Sequence, residues 1–278
     1  MPVINTNVNA LLAQQANTKN AREMAGAMQQ LSSGRRIGSA KDDAAGIAIG
    51  ESMTAQVRGL NQAIRNVNDG VNLAQTADGA LGETANMLQR MRELAVQSAS
   101  GTYSNTQRGY LQTEFTALAS QIDKVASETT WNGMTVLTGT TGSTATGTFT
   151  FQSGQASGQS ISVSITSMAL SGMAMTAAAV GISSAASASS AIASIDTAIG
   201  LVNTQRAIIG AGINQMTYAA DNLTNISGNI QASRSTIMDT DYATASTQLS
   251  KSQIIQQAST AMLAQANQQP QSVLALLK

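Results

Sequence analysis

The side chains that could do chemistry in this chain are mainly carboxylates, because it contains neither histidine nor cysteine. Without an imidazole or a thiol, Ser-His-Asp triads, cysteine nucleophiles, disulfides and the usual zinc sites are excluded. Catalysis by carboxylates alone remains formally possible, and Asp239 and Asp241 are one such pair. Since they lie just before a helical stripe, helix capping is sufficient to explain them.

A second charged cluster lies near the N-terminus, where Arg35-Arg36 precedes Lys41-Asp42-Asp43. It could suggest a phosphate or metal site, but glycines and serines surround it, which is typical of a solvated linker. We therefore expect no catalytic, cofactor-binding or metal-binding residues, and no enzyme activity. The 15 basic and 15 acidic residues balance, so no electrostatic footprint for nucleic acid or an acidic membrane is expected.

The elements that organise the chain are long helices, and the clearest of them begins near Ser187. From Ile192 to Ile237 the residues spaced by three and four are apolar, interrupted only by Arg206, Ser227 and Arg234. A strict period of 3.5 residues predicts a coiled-coil seam. The two arginines could form buried pairs or fix the register, with acidic residues such as Glu83 or Asp69 as candidate partners.

A second seam lies far upstream, through Val57, Leu60, Ile64, Val67 and Val71, and it continues less regularly to Ala95. We expect the two seams to pack on each other, so that the chain forms a rod whose two ends come back together. A third helix is predicted from Leu111 to Val125. No run of about 18 apolar residues is present, so no transmembrane helix is expected.

The terminal segments are weaker helices that should need neighbours to fold. Each has an apolar stripe that we expect to pack against a neighbour. The packing residues are Ile4, Val8, Leu11, Met28 and Leu31 in the first segment, and Ile255, Met262, Val273, Leu274 and Leu277 in the last. Ser39 and Asp42 are candidate caps for the second helix, and Pro270 is expected to kink or end the last one.

The middle of the chain, from about Thr138 to Ser190, changes to Gly, Ser and Thr. Two alternating runs in it, 148–151 and 161–165, predict a β-hairpin. The fold class is therefore mainly α, a long antiparallel helical coiled-coil bundle with a small β-hairpin region. We expect four segments, 1–42, 43–186, 187–236 and 237–278.

Both ends carry motifs that resemble a known family. The start Met-Pro-Val-Ile-Asn-Thr-Asn and the stretch Leu31–Gly46, LSSGRRIGSAKDDAAG, are similar to the N-terminal signature of bacterial flagellins. The run QRMRELAVQS at 89–98 is also similar to this N-terminal signature. The run LAQANQQPQSVL at 263–274 is similar to the C-terminal pattern. The resemblance covers about 1–138 and 187–278.

This resemblance implies a structural subunit that polymerises with many copies of itself into the extracellular flagellar filament. It also implies that the apolar stripes of the two terminal segments are subunit-packing surfaces. The paired ends (1–42 and 237–278) correspond to the family's D0 domain and the long seams to D1, while the large outer domains of many flagellins are missing. Export would occur in unfolded form through the flagellar type III apparatus, without a cleaved signal peptide. The implied partners are an export chaperone on about 254–278, the filament cap protein and the hook-filament junction proteins.

The resemblance also implies a receptor site. In flagellins recognised by the innate Toll-like receptor 5 (TLR5), an Arg and a Leu on one D1 helix and a Glu on the next make key contacts. The corresponding residues are Arg90, Leu94 and Glu114, with Gln89, Glu93 and Gln97 beside them. The simpler interpretation of this face is packing against neighbouring subunits.

Three alternatives stay open at this point. A hook-filament junction protein has similar helical ends, although it usually matches the terminal signatures less well. A flagellin with an inserted protease would be an enzyme, which the lack of histidine disfavours. A generic coiled-coil adaptor would make the terminal signatures a coincidence.

Overall fold

The computed structural model describes residues 7–140, 147–175 and 181–275, with the backbone alone over 269–275. These residues form five helices and two small antiparallel sheets, so the predicted mainly α fold class is confirmed. The elements are α1 Val8–Ser33, α2 Ala44–Ala99, α3 Asn105–Glu128, β1 Thr130–Trp131, β2 Met134–Thr135, β3 Thr148–Gln152, β4 Ser160–Ser164, α4 Ala185–Met238 and α5 Tyr242–Ala275.

The chain divides into two compact units. The terminal unit contains Met1–Val57 and Gly228–Lys278, and the middle unit contains Arg58–Ser227. Helices α2 and α4 contribute residues to both units. The segment boundaries predicted at 42, 186 and 236 stay predictions.

The core of the middle unit is built from the two predicted seams. Side chains of α2 and α4 at the 3.5-residue spacing are buried, as a coiled-coil contact requires. The buried seam residues include Leu60, Val67, Ala74, Leu81, Leu88 and Met91 of α2, and Ile195, Val202, Ile209, Met216 and Leu223 of α4. Helix α3 adds Phe115 and Ile122 to the same core.

Arg206, the first interruption of the α4 seam, forms an ion pair. Its Nε lies 2.8 Å from Oδ1 of Asp78 on α2, and both side chains are about two-fifths exposed. The expected partners Glu83 and Asp69 were therefore wrong. Asp78 lies between them on α2, and spacing along one helix does not say which turn of a partner helix is level with a given residue.

The other two interruptions are also hydrogen-bonded to α2. In the middle unit, the hydroxyl of Ser227 lies 3.2 Å from Oδ1 of Asn61. In the terminal unit, a guanidinium nitrogen of Arg234 donates to the hydroxyl of Thr54 at 3.4 Å. Each polar residue that interrupts the apolar seam of α4 thus makes a polar contact with α2.

The predicted β-hairpin is present as β3 and β4. Its register pairs Phe149 with Val163 and Phe151 with Ile161. Phe149, Ile161 and Val163 are buried, because alternate side chains of the hairpin point into the middle unit.

A second, smaller hairpin follows α3. Strands β1 and β2 pair Trp131 with Met134 around Asn132-Gly133. Both turn residues have positive φ, 48° and 78°. This is the geometry that Asn-Gly adopts most easily in a two-residue hairpin loop.

Two features of the later helices differ from expectation. Helix α5 continues through Pro270 to Ala275, so this proline does not end the helix. Helix α4 contains an 18-residue window with a mean hydropathy of 1.4, enough by length and composition alone to cross a membrane. Core helices of soluble proteins pass the same test, so the expectation of no membrane insertion stays a prediction.

Candidate functional site

The terminal helices α1 and α5 pack against each other along most of their length. Their less exposed positions recur every three or four residues, which is the spacing of a coiled-coil seam. These seam positions are Ala10, Ala13, Asn17, Asn20, Met24, Ala27 and Leu31 on α1, and Ala245, Leu249, Ser252, Gln256, Ser259, Leu263 and Ala266 on α5. Most of these side chains are small or polar, so this seam carries little of the apolar signal that marks the other two.

Hydrogen bonds between the helices show that α1 and α5 are antiparallel. The amide of Asn7 donates to the carbonyl of Ala266 at 2.8 Å, and the amide of Asn20 donates to the carbonyl of Ser252 at 2.7 Å. As the residue number rises on α1, it falls on α5. The two terminal helices are thereby brought together, as the sequence predicted.

The base of this pair is fixed by backbone contacts. Helix α1 ends at Gly34, whose φ of 70° is the left-handed conformation usual at a helix C-terminus. The N–H of Thr240 donates to the carbonyl of Gly34 at 3.0 Å, and Arg35 and Asp239 form a β-bridge. The hydroxyl of Tyr242 also donates to the carbonyl of Leu31.

The outward face of the pair, turned away from the seam, also holds large apolar side chains. Leu11 is 59% exposed and Met262 is 64% exposed. They are accompanied by Val8, Leu12, Met28, Ile254 and Ile255. These two helices therefore expose several large apolar side chains to water, where burial against another molecule would be favourable.

The predicted packing residues fall into three groups. Val8, Leu11, Met28, Ile255 and Met262 are exposed on the terminal unit. Leu31 is half-buried in the seam. Ile4 and Leu277 lie outside the described residues, as do the side chains of Val273 and Leu274.

The acidic residues considered for chemistry have local structural roles. The carboxylate of Asp241 accepts from the hydroxyl of Thr244 at 2.7 Å and from the N–H of Ala243 at 2.9 Å, so it caps α5. The Thr244 hydroxyl in particular holds the pKa of Asp241 below its usual range. Asp239 lies in the bridge at the base of the pair.

The N-terminal acidic residues show one correction. Asp43 caps α2 by accepting from the N–H groups of Ala45 and Gly46, so the caps predicted at Ser39 and Asp42 were wrong. Asp42 accepts from the hydroxyl of Ser39 instead, which lowers the pKa of its carboxyl. Within the described ranges, no cluster of three or more Asp or Glu side chains could hold a metal ion.

The residues of the expected receptor site lie on the middle unit. Arg90 of α2 donates to Glu93 one turn later and to Glu114 of α3, both at 2.9 Å. All three side chains are about half-exposed or more. The two carboxylates raise the pKa of the Arg90 guanidinium, with Glu114 contributing most. Gln89 and Gln97 are exposed on the same helix, and Gln97 donates to the hydroxyl of Tyr103.

Leu94 is the exception among them. Its side chain is 1% exposed and belongs to the core of the middle unit. Because it faces the core, it does not offer a contact surface in this structure. The expectation of a receptor contact at Leu94 is not supported by its burial.

Comparison with known proteins decides the family. The pattern described as "Bacterial flagellin N-terminal helical region" matches residues 4–142, and "Bacterial flagellin C-terminal helical region" matches residues 192–277. The chain belongs to the bacterial flagellin family. The resemblance of its terminal motifs is thereby confirmed, and flagellins are structural proteins of the extracellular flagellar filament.

Individual flagellins match along the whole chain. A flagellin of Halalkalibacterium halodurans is 43% identical over 276 residues, covering 99% of this chain and 100% of the relative. The "Flagellar filament 33 kDa core protein" of Treponema phagedenis is 39% identical, with the same coverage. The crystal structure of Bacillus cereus flagellin superposes with a TM-score of 0.51 at 32% identity, covering 61% of this chain and 94% of that one.

Proposed function

We propose that this flagellin assembles by burying the outward apolar face of the α1–α5 pair against neighbouring copies of itself. The observation that carries the proposal is that large apolar side chains of these helices face solvent instead of the contact between the helices. Small and polar residues fill the contact between the two helices, while Leu11, Met262 and their apolar neighbours face water. Burying this face would contribute the hydrophobic free energy that the thin seam does not supply.

A pair of double variants tests this proposal. Leu11→Gln/Met262→Gln removes apolar area from the face, and each buried side chain of this kind contributes roughly 1.5–3 kcal/mol. We expect the critical concentration for seeded filament growth to rise more than tenfold, as measured by light scattering and electron microscopy. Leu11→Met/Met262→Leu keeps the area and should assemble like the native chain. Equal assembly of both variants would contradict the proposal.

We infer the domain assignment from the same resemblance. Segments 1–42 and 237–278 form the inner D0 domain of the filament, and 43–186 with 187–236 form D1. The short region between the long helices gives a thin filament with a comparatively smooth surface. An alignment of 380 positions with Flagellin A of Vibrio cholerae, against 278 residues here, supports the lack of large outer domains.

We also infer the route to the filament from the family. The chain is exported unfolded through the flagellar type III apparatus, and a chaperone holds about 254–278 before export. The cap protein assists folding at the tip, and junction proteins join the filament to the hook. The exposed apolar residues Ile254, Ile255 and Met262 give such a chaperone a surface to bind.

The alternative of a hook-filament junction protein has less support. The relatives that cover the full chain have names that include "Flagellin" and "Flagellar filament 33 kDa core protein". Electron microscopy of the purified, seeded protein distinguishes the two, since the filament subunit alone should grow into long helical filaments.

Recognition of the monomer by TLR5 is a second proposed function. It is supported by the exposed, connected side chains of Arg90, Glu93 and Glu114, with Gln89 and Gln97 beside them. A reporter-cell assay should show at least a tenfold loss of potency for monomeric Arg90→Ala, because a charged contact contributes about 1.5–3 kcal/mol. Arg65→Ala, which removes another exposed arginine of α2, is the control. Equal potency of the two variants would rule out this site.

A further inference from the structure

The loop of the β1–β2 hairpin contains the only asparagine in the sequence that is followed directly by glycine, Asn132-Gly133. Asn132 is exposed, and its side-chain amide has no hydrogen-bond partner among the residues that the structure describes. A Cβ on Gly133 would meet nothing within 4 Å, so no side chain crowds the main chain that follows the amide. The space around this pair is therefore open to water.

An asparagine amide beside an uncrowded main-chain nitrogen can react with it without an enzyme. The Gly133 nitrogen loses its proton to hydroxide and attacks Cγ of Asn132, so that a bond forms between them while the Cγ–Nδ2 bond breaks. The released nitrogen takes up a proton and leaves as ammonia. Water then opens the resulting ring at either of its carbonyls, which leaves aspartate or isoaspartate. The net change is uptake of water and loss of ammonia, with no change of oxidation state.

The hairpin must open for this reaction to occur. Closing the ring requires the main chain to rotate at Asn132, away from its turn φ of 48°, until the Gly133 nitrogen faces Cγ. Strands β1 and β2 have two residues each, and the only pairs between them are Thr130 with Thr135 and Trp131 with Met134. An isolated hairpin is at best marginally stable in water, and so short an element opens locally at a lower free energy than core helices do.

We propose that Asn132 is a modification site, where the amide is lost spontaneously in the folded chain and a carboxylate replaces it. Two Asp-Gly pairs, Asp69-Gly70 and Asp78-Gly79, can form the same ring but lie inside α2. Their main-chain N–H groups belong to the hydrogen-bonded ladder of a long helix, which opens rarely. The hairpin loop therefore reacts while the helical pairs are protected.

The modification changes the surroundings of Trp131, the only tryptophan of the chain. Trp131 is half-buried, packs against the core of the middle unit and pairs with Met134 across the loop. A two-residue loop suits this pairing because its backbone twist matches that of the strands. Isoaspartate adds a carbon atom to the main chain of the loop, so the loop no longer has the length that the pairing requires. Trp131 then loses part of its packing against the core.

Ageing of the full chain tests the site by two measurements on the same samples. Mass spectrometry after pepsin digestion at acidic pH, which does not itself remove the amide, follows the replacement of the Asn132 amino group by a hydroxyl. The rate in the folded chain is divided by the rate at the same site in urea, and chromatography of isoaspartyl peptides gives the same ratio for Asp69-Gly70. We expect the ratio for Asn132 to be at least tenfold the higher. Tryptophan emission should shift to longer wavelength in step with the isoaspartate formed.

Asn132→Gly is the matched control, because glycine adopts the positive φ of the turn and has no amide to lose. Its tryptophan emission should stay constant over the same time. The inference is overturned if folded Asn132 keeps its amide while the chain in urea loses it, or if its ratio does not exceed that of Asp69-Gly70. An equal drift of emission in the native chain and in Asn132→Gly would overturn the consequence for Trp131.

Discussion

At the residue scale, Arg108 holds the turn between α2 and α3 together. Its side chain is buried, and its Nε donates to the carbonyl of Ser98 at 2.8 Å. Its other two nitrogens donate to the carbonyl of Ser100 and to Oδ1 of Asn105. Two of these acceptors are main-chain carbonyls at or just after the C-terminus of α2, where helix carbonyls lack intrahelical donors. Nothing in the spacing of the sequence distinguishes this arginine from the exposed ones.

We expect Arg108→Ala to lower the free energy of unfolding by about 3 kcal/mol, because it removes the donor of one buried and two partly buried hydrogen bonds. Arg108→Lys should recover little of the stability lost in Arg108→Ala, since one ammonium cannot reproduce the planar fork of the guanidinium. Urea denaturation followed by circular dichroism measures both. Arg65→Ala, which removes a guanidinium hydrogen-bonded to exposed Gln62, should change stability by less than about 0.5 kcal/mol. A similar effect at both positions would refute the role of Arg108.

At the element scale, two of the six glycines of α2 have contrasting surroundings. A Cβ on Gly70 would lie 2.8 Å from Sδ of Met216 and 3.0 Å from the ring of Phe151. A Cβ on Gly79 would meet nothing within 4 Å. Gly70 is therefore where α4 and the β3–β4 hairpin approach α2 closely, whereas Gly79 only reduces the helix propensity of α2.

The two glycines predict substitutions of opposite sign. Gly79→Ala should stabilise the protein by about 0.5–1 kcal/mol, because alanine is the better helix former. Gly70→Ala gains the same propensity but overpacks the core, which typically costs about 1–3 kcal/mol, so a net loss is expected. Thermal unfolding of the two variants should shift the midpoint in opposite directions. If both substitutions stabilise the protein, the side chains that contact Gly70 can move aside at little energetic cost.

How far the sequence predicts these elements depends on which side chains fill each seam. The α2 and α4 seams could be predicted because Ile, Leu, Val and Met recur at fixed spacing and are buried. The α1–α5 seam could not, because Ala, Asn, Ser and Gln fill many of its positions, while the apolar stripe at Val8, Leu11 and Met262 faces outward. The burial of Leu94 was not predicted, because the motif alone favoured a contact role and the predicted seam did not include this residue.

At the scale of the whole molecule, we expect loss of the N-terminus to affect the two compact units differently. Deleting residues 1–40 removes α1 and with it the partner of α5, whereas the middle unit begins at Arg58 and keeps both of its seams. We expect the shortened chain to lose filament formation completely. Its middle unit should keep its core, because Phe115, Leu88 and Ile195 have their partners within that unit.

Two measurements on the same sample separate these outcomes. Seeded growth followed by electron microscopy reports assembly, with the full-length chain purified in parallel as the control. Hydrogen exchange reports each helix, and protection should vanish over α5 but persist over α3 and the middle-unit parts of α2 and α4. Normal filaments from the shortened chain would show that the α1–α5 pair is dispensable for assembly. Loss of protection in the middle unit would show instead that its fold depends on the terminal helices, because its own seams would then be insufficient to hold it.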